Sequence, residues 1–366
     1  PVLTIVAVEE PENHISPHLL GRVVEKLNFI STKENSQTIL TSHSPAIVKR
    51  IEPTDIRYFR ICKEYECTKV KSIILPNEEK EAEQFKFVKE SVLAYPELYF
   101  AKLVVLGEGD SEEIIIKQMI ELKAESVDSS EISIVPLGGR HVNHFWRLLN
   151  DLEIPFITLL DLDRERDGGG WGRIKYAIQQ LINIGHDKNV LLYTCEGISQ
   201  DNEFKEMHTW DVTDTENMAK WIEMLKGYDV YFSAPLDIDF AMLQSFKDKY
   251  ISALTSAEGH RIKDHGKIQD IVINEDAEDE SLKAAYKDRI DSDIKSTLKQ
   301  EGGDGSTYTE GEKELMIWYS YFFLGRGKPT THLSLFSNNT DIDFESFPYC
   351  LKEFVNSIIE KMIDDS

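Results

Sequence analysis

The sequence predicts an α/β protein built around a parallel sheet flanked by helices. Three observations lead there. From residue 102 onward, short apolar runs alternate with amphipathic ones, strand then helix three times over, as strands joined by crossover helices require. Leu103-Val104-Val105-Leu106 is apolar throughout, the pattern of a buried strand. The chain has 366 residues and is 41% hydrophobic, enough for more than one core.

The elements follow in order. Val2–Val8 and Thr38–Thr41 read as strands, followed by β-like runs at Ile56–Ile61 and Lys69–Ile74. A charged helix over Glu78–Ala94 is stopped by Tyr95-Pro96, which places a domain junction near residue 95 and makes 1–95 the first unit. That unit opens inside an apolar run without a cap or leader, so it is expected to continue upstream. The second unit pairs Lys102–Leu106 with Glu112–Leu122, Ile132–Pro136 with Val142–Leu149, and Pro155–Leu160 with Trp171–Ile184. A strand at Asp229–Ser233 and a helix at Phe240–Leu254 complete a core over 101–250. Residues 251–309 are polar and acidic, from Asn274 to Glu280 and on through Asp291 and Asp293, and are expected to form a solvated helical insertion. Residues 310–366 complete the second unit. They hold an aromatic helix Glu310–Leu324, a Gly325-Arg326-Gly327-Lys328 loop, a short run His332–Phe336 and a final helix Phe347–Ile363.

Composition excludes several classes. A formal net charge of −24 argues against a broad basic surface that grips phosphate backbones by counterion release alone. No run of about 18 apolar residues and no secretory layout is present, so the expectation is a cytoplasmic protein with no membrane partner. Cys62, Cys67, Cys195 and Cys350 are scattered and lack zinc-site spacing, which reads as reduced thiols. The tryptophans Trp146, Trp171, Trp210, Trp221 and Trp318 are isolated or fall on amphipathic helices and read as packing residues.

Two groups of residues carry chemistry. In the first unit, Glu9-Glu10-Pro11-Glu12 sits at the tip of an apolar strand, where nucleotide-hydrolysing enzymes hold magnesium and the attacking water. About thirty residues later a second strand delivers His43 within Ser42-His43-Ser44-Pro45, placed to reach a γ-phosphate. No G-x-x-x-x-G-K-[ST] occurs in the chain, so ATP hydrolysis by these residues alone is not expected.

In the second unit, the run Leu103–Leu106 ends at Gly107-Glu108-Gly109, with Glu112 one helical turn on, so that Glu108 and Glu112 face one site. The glycines permit a tight turn and a close approach to phosphate. The next strand ends at Gly138-Gly139-Arg140-His141, putting two candidate phosphate-binding cations at the same sheet edge. The third ends at Asp161-Leu162-Asp163, and Asp237-Ile238-Asp239 follows the last strand. Glu108 alone would serve as a helix cap and Asp161-Leu162-Asp163 alone as a turn; their shared strand-end placement favours a metal site. Six carboxylates gathered at one edge need cations, and hard oxygen ligands suit Mg2+ or Mn2+, the last acidic tip either completing the shell of one ion or binding a second, which would make a two-ion centre.

The first unit resembles ABC-type ATPases of the DNA-repair kind, with Glu9 and Glu10 in the acidic Walker B position, His14-Ile15-Ser16-Pro17 as the following turn and His43 as the switch histidine. The second resembles the Toprim domain of topoisomerases, primases and OLD (overcoming lysogenization defect) nucleases. Together they narrow the resemblance to the OLD family and its Gabija-like class. That resemblance implies a DNA endonuclease in which Glu108 and Asp161 are catalytic, with Glu112, Asp163 and Asp237 or Asp239 as further metal ligands. It further implies that Lys328 is the late catalytic lysine, that ATP binds in the full-length protein, and that the chain forms a homo-oligomer working with a helicase partner in anti-phage defence or DNA processing. Two other readings stand beside it: an ATPase-coupled DNA sensor that does not cut, and a Toprim nuclease that processes RNA, since nothing in the motifs reads a 2′-hydroxyl.

Overall fold

The structure, a computed structural model, describes residues 2–62, 66–79, 82–123, 131–138, 142–193, 201–270, 280–299 and 301–364. Two compact units divide the chain. One comprises Pro1–Val104, Glu131–Val135 and His141–Pro155; the other comprises Val105–Ser130, Pro136–Arg140 and Phe156–Ser366.

In the first unit, β1 (Thr4–Glu9), α1 (Pro17–Ser31), β2 (Ser36–Thr41) and the one-turn α2 (Pro45–Val48) follow one another. The two strands pair in parallel from Thr4 opposite Ser36 to Glu9 opposite Thr41, which brings both tips to the same end. Leu20 and Val24, four residues apart on one face of α1, bury against Ile47, with Leu40 and Ile51 packed around them. Next, β3 (Arg57–Cys62) and β4 (Cys67–Ser72) form an antiparallel pair, followed by α3 (Ala82–Ala94). Lys69 and Lys71, on one face of β4, both bind Glu153 (2.9 and 2.7 Å). Cys62 and Cys67 stand opposite each other and, like Cys350, are free thiols. Cys195 lies outside the described residues.

The central sheet has four strands in the order β6-β5-β7-β8. These are β5 (Leu103–Gly107), β6 (Ile132–Pro136), β7 (Phe156–Asp161) and β8 (Val230–Ser233), with α4 (Asp110–Lys123), α5 (Val142–Leu152) and α6 (Trp171–Asn183) after the first three in turn. Further helices α7 (Lys188–Tyr193), α8 (Asp201–Glu206) and α9 (Thr215–Lys226) precede β8. Strands β7 and β8 pair in parallel, Thr158 opposite Val230 through Asp161 opposite Ser233. All five residues of β5 are buried. Each of its Leu and Val side chains contributes roughly 1.5–3 kcal/mol by leaving water. Because β5 and β7 are neighbours and the sheet is parallel, the acids that terminate them share one edge. Trp171 and Trp221 are buried, and Trp210 joins them edge-on at 4.9 and 6.3 Å between ring centroids, in keeping with a packing role.

After β8, α10 (Ile238–Ser252) begins with Asp237 as its N-cap, accepting from the Phe240 amide at 2.9 Å. A short hairpin of β9 (Arg261–Ile262) and β10 (Gly266–Lys267) leads on to α11 (Glu280–Leu298) and α12 (Glu310–Tyr319). A capping box of Thr309 and Glu312 opens α12. The last helices are α13 (Lys328–Asn338) and α14 (Tyr349–Asp364), both packed on α4.

Two regions differ from the sequence expectation. The Gly325–Lys328 segment is not a loop: α12 widens into a π-helical turn over Ser320–Arg326, Gly327 takes φ 110°, and α13 starts at Lys328 and absorbs His332–Phe336. The acidic segment is not wholly solvated either. Asp293, Ile294, Thr297 and Leu298 of α11 are buried, and Arg289 grips Asp293 through two bonds of 2.6 and 2.9 Å. The chain just beyond clamps the loop after β7. The amides of Gly305 and Thr307 donate to the buried Glu165 carboxylate (2.6 and 2.7 Å), and the Tyr308 hydroxyl donates to the Arg164 carbonyl. Residues 274–279, the densest acid run, lie outside the described residues.

Candidate metal centre

Glu108 leaves the end of β5 and its Oε1 accepts from the Asp161 amide at the end of β7 (3.0 Å), tying the two strand tips together. Glu112 lies in the first turn of α4, 3% exposed, with its Oε2 accepting from the Gly109 amide (2.9 Å). The glycine that matters most here is Gly107: a Cβ on it would stand 2.4 Å from the Cβ of Glu112, so only glycine lets the glutamate fold back over the strand end. Sequence reasoning credits these glycines to phosphate approach; the structure shows that Gly107 makes room for an acid.

Asp161 Oδ1 accepts from the Ser233 hydroxyl (2.8 Å) and the Ile238 amide (3.3 Å), which orients its carboxylate inward. Asp163 takes φ 53°, in the left-handed region, at the start of the Asp163–Gly170 loop. Asp161, Asp163 and Asp237 each offer an oxygen within 4.8 Å of the others. Three hard oxygen donors at that spacing fit a Mg2+ or Mn2+ ion.

The two acids of Asp237-Ile238-Asp239 have different surroundings. Asp237 joins the aspartate cluster. Asp239 is fully buried and turned to α13: its Oδ1 lies 2.7 Å from His332 Nε2, and its Oδ2 lies 2.5 Å from Lys328 Nζ. His332 Nδ1 in turn lies 2.8 Å from the Tyr250 hydroxyl. Lys328 also stands 3.9 Å from Asp237.

Two arginines, not singled out in the sequence, complete the centre. Arg166 Nη1 lies 2.6 Å from Asp163 Oδ1 and 3.1 Å from Asp237 Oδ2, while its Nε donates to the Thr297 carbonyl and its Nη2 to the Tyr319 hydroxyl. Tyr319 donates to Asp237. Arg173, on α6, spans Glu108 Oε2 (3.2 Å) and Asp163 Oδ2 (2.7 Å). The signal that could have found them is their closeness in sequence to Asp163, three residues on for Arg166 and one loop on for Arg173.

The electrostatics follow from burial and neighbours. Burial foremost, with Asp239 and Glu108 beside it, pushes Glu112 up to about 8. Burial raises Asp161 well above the carboxylate range, reinforced by Glu112, Glu108 and Asp237. Burial raises Glu108 against the pull of Arg173, and raises Asp237 against Arg166 and Lys328. At Asp163 burial acts upward but Arg166 and Arg173 outweigh it. At Asp239 burial is again opposed, and the contacts with His332 and Lys328 bring it down to about 2. Acids held with raised pKa at one strand edge mark a place that a cation stabilises.

In the first unit, the parallel pairing brings His43 Nε2 within 3.1 Å of Glu10 Oε1. Glu9, at the end of β1, is exposed. Glu12, quoted in the sequence motif without a role of its own, accepts from the Ser42 hydroxyl (2.7 Å) and the His43 amide (2.8 Å), so it ties the turn after β1 to the segment after β2. Arg140 and His141 lie outside the described residues.

Residues 99–163, from just before β5 to Asp163, match the family model of the Overcoming lysogenization defect protein-like TOPRIM domain. That stretch is similar to an OLD-like Toprim domain. Residues 1–49 match an AAA domain of the AbiEii type, which agrees with an ATPase part ahead of the Toprim sheet. The chain is 28% identical over 187 residues to Endonuclease GajA of Bacillus cereus (strain HuB5-5), covering 45% of this chain and 27% of that protein. It is 26% identical over 166 residues to the OLD nuclease of Thermus scotoductus (strain ATCC 700910 / SA-01), covering 43% of this chain and 30% of the relative. The matches thus span about a quarter to a third of the length of these relatives. Among solved structures, the C-terminal region of the Burkholderia pseudomallei OLD protein aligns with a TM-score of 0.39 and 15% identity, over 72% of this chain and 99% of that one.

Proposed function

We propose that this OLD-like Toprim chain is the phosphodiester-cleaving part of a DNA endonuclease, coupled to an ATPase and serving anti-phage defence or DNA processing in the cytoplasm. The observation that carries the reading is the convergence of Glu108, Asp161, Asp163 and Asp237 at one strand edge with Lys328 beside them. No helix among the described residues is long and apolar enough to cross a membrane.

Glu108, Glu112, Asp161, Asp163 and Asp237 are the residues that would hold Mg2+ or Mn2+. Bound there, the cation supplies Lewis-acid stabilisation of the charge that develops on the phosphate. The chain's own groups do the rest. Ser233 and the Ile238 amide fix the Asp161 carboxylate; Glu108 locks the tips of β5 and β7 in register. Lys328, with 42% of its side chain exposed, is aimed at the centre by Asp239 and supplies a fixed positive charge toward the transition state. Arg140 and His141 are assigned to contacts with the DNA backbone. Glu9, Glu10 and His43 are assigned to ATP in the full-length protein, and a homo-oligomer with a helicase partner is part of the same reading.

The test is cleavage of matched end-labelled DNA and RNA with Mg2+, Mn2+ or EDTA, with Asp161→Ala as control. Metal-dependent scission of DNA that Asp161→Ala abolishes is the expected result. Scission of RNA alone selects the RNA-processing reading, and DNA binding without scission selects the sensor.

A further inference from the structure

Cys62 and Cys67 take no part in the acid centre, yet the fold sets them against each other. Cys62 ends β3, Cys67 begins β4, and the two are direct partners in the antiparallel pair. Directly opposed residues carry their side chains on the same face, with Cα atoms about 4.5–5.5 Å apart, and a disulfide spans Cα separations of about 4.4–6.8 Å. The backbone already holds the two thiols within the span of that bond. Both are free, Cys67 exposed and Cys62 half-buried, so a small oxidant reaches them from solvent. Neither belongs to the buried apolar core, so packing does not account for two cysteines at this place.

The same face carries positive charge. Arg60 and Lys69, opposite each other, are the next pair along it. Lys69 Nζ lies 2.9 Å from Glu153 Oε2, and the ammonium is held above its ordinary pKa by that bond foremost, then by Cys62, with the Glu153 charge and Cys67 adding to it. Lys69 is therefore a near neighbour of both sulfurs. A thiol attacks as its anion, and a cation beside it favours the attack.

We propose that Cys62 and Cys67 are a reversible redox pair, closed by a peroxide into a cross-strand disulfide and reopened by a dithiol. Cys67, the more exposed, reacts first: its sulfur takes one oxygen of hydrogen peroxide, the O–O bond breaks, and a sulfenic acid forms as the other oxygen leaves as water with the thiol proton. Cys62 then attacks that sulfur, the S–O bond breaks, a second water leaves with the Cys62 proton, and the S–S bond forms. Two electrons pass from the thiols to the peroxide. Reduction runs by exchange with a dithiol that is itself oxidised, and an exposed disulfide between neighbouring strands is of the readily reduced kind. The bond closes the turn between β3 and β4 and so stiffens the strand whose Lys69 and Lys71 hold Glu153. This pair stands independently of the nuclease reading.

The experiment treats the full chain, reduced and then freed of reductant, with hydrogen peroxide, alkylates it in denaturant and maps its peptides without reduction. Trypsin cuts after Arg60, Lys63 and Lys69, which puts the cysteines on separate peptides, residues 61–63 and 64–69. The expected result is that these two peptides are joined, and that dithiothreitol parts them again. Amide hydrogen exchange in β3 and β4 should slow about threefold or more in the oxidised chain. Cys62→Ser should leave Cys67 as a sulfenic acid that dimedone captures, and Lys69→Gln should slow disulfide formation about threefold or more. Serine is close to cysteine in size and neither position is in the core, so these variants report on chemistry and not on folding. Peptides that remain separate, Cys67 driven to sulfinic acid while Cys62 stays reduced, or Cys67 joined to Cys195 or Cys350 overturns the pair. Unchanged amide exchange overturns the stiffening, and an unchanged rate in Lys69→Gln overturns the part given to that ammonium.

Discussion

Replacing Gly169 by alanine tests how the loop after β7 sets the centre. A Cβ at Gly169 would stand 1.8 Å from the carbonyl oxygen of Asp163, 2.7 Å from its carbonyl carbon and 2.9 Å from the Arg166 carbonyl oxygen. Contacts of that kind below 3.0 Å are not tolerated, so the Asp163 carbonyl must retreat by about 1.2 Å. That carbonyl accepts from the Arg166 amide at 2.9 Å, and both residues then leave their places at the centre. Forced repacking costs about 1–3 kcal/mol and the lost hydrogen bond about 1 kcal/mol, for a total of roughly 2–4 kcal/mol. Gly168 is the control. It has φ 71° and nothing near its Cβ position, so alanine there costs only about 1–2 kcal/mol of left-handed strain and leaves the site alone. Thermal denaturation of the metal-free proteins should place Gly169→Ala several degrees below Gly168→Ala, at about 2–4 °C per kcal/mol for a unit of this size. A Mn2+ titration should show at least tenfold weaker binding for Gly169→Ala alone. If the two variants melt together and bind Mn2+ alike, the loop does not position Asp163 as argued.

Other outcomes follow from the same structure. His332 is fully buried, bonded to Asp239 and Tyr250 and stacked on Phe323 at 5.2 Å, so His332→Ala leaves two buried polar groups without that partner; urea denaturation should register a loss of about 3–5 kcal/mol, and a loss below about 1 kcal/mol would contradict the buried network. Glu112, pushed up to about 8 in the folded protein, keeps a proton there that the unfolded chain releases near pH 4.3, so the metal-free protein loses stability as pH rises across that window. Melting temperatures from pH 4.5 to 8.5 in EDTA should therefore fall more steeply for wild type than for Glu112→Gln; parallel curves would assign the slope to other groups.

Much of this protein is legible in its sequence because the strands of the central sheet are short, mostly apolar runs closed by acids or glycines. Ile132–Pro136 is a strand over just the residues expected, and the observed β5 and β7 are displaced by a single residue from their apolar runs. The strand-tip acids are legible for the same reason: a parallel sheet sends every strand end to one edge, so Glu108 and Asp161 meet whatever the helices between them do. What escapes is what depends on long side chains and on contacts distant in sequence. Arg166 and Arg173 have no periodicity to betray them, and the partners of Arg166 lie as far away as Thr297 and Tyr319. The acidic segment reads as solvated because composition cannot reveal that Gly303, Gly305 and Thr307 close over the Glu165 loop. Lys328 is found by resemblance alone; its loop-like Gly-Arg-Gly-Lys setting hides a helix start, because the π-turn before it has no sequence signature. The difference between Asp237 and Asp239 is invisible in the sequence, where they are two residues apart, and is decided by which of them His332 reaches from α13.

The most direct measurement of the central claim is cleavage of supercoiled plasmid by the protein with Mg2+, Mn2+ or EDTA, comparing wild type with Glu108→Ala, Asp161→Ala and Lys328→Ala. The account predicts nicking or cutting that needs the metal, vanishes in the two acid variants and falls by at least a hundredfold in Lys328→Ala, the order expected when a charge that stabilises the transition state is removed. Cleavage that survives EDTA or the loss of Asp161, or a metal-loaded protein that binds the plasmid and leaves it intact, would contradict it.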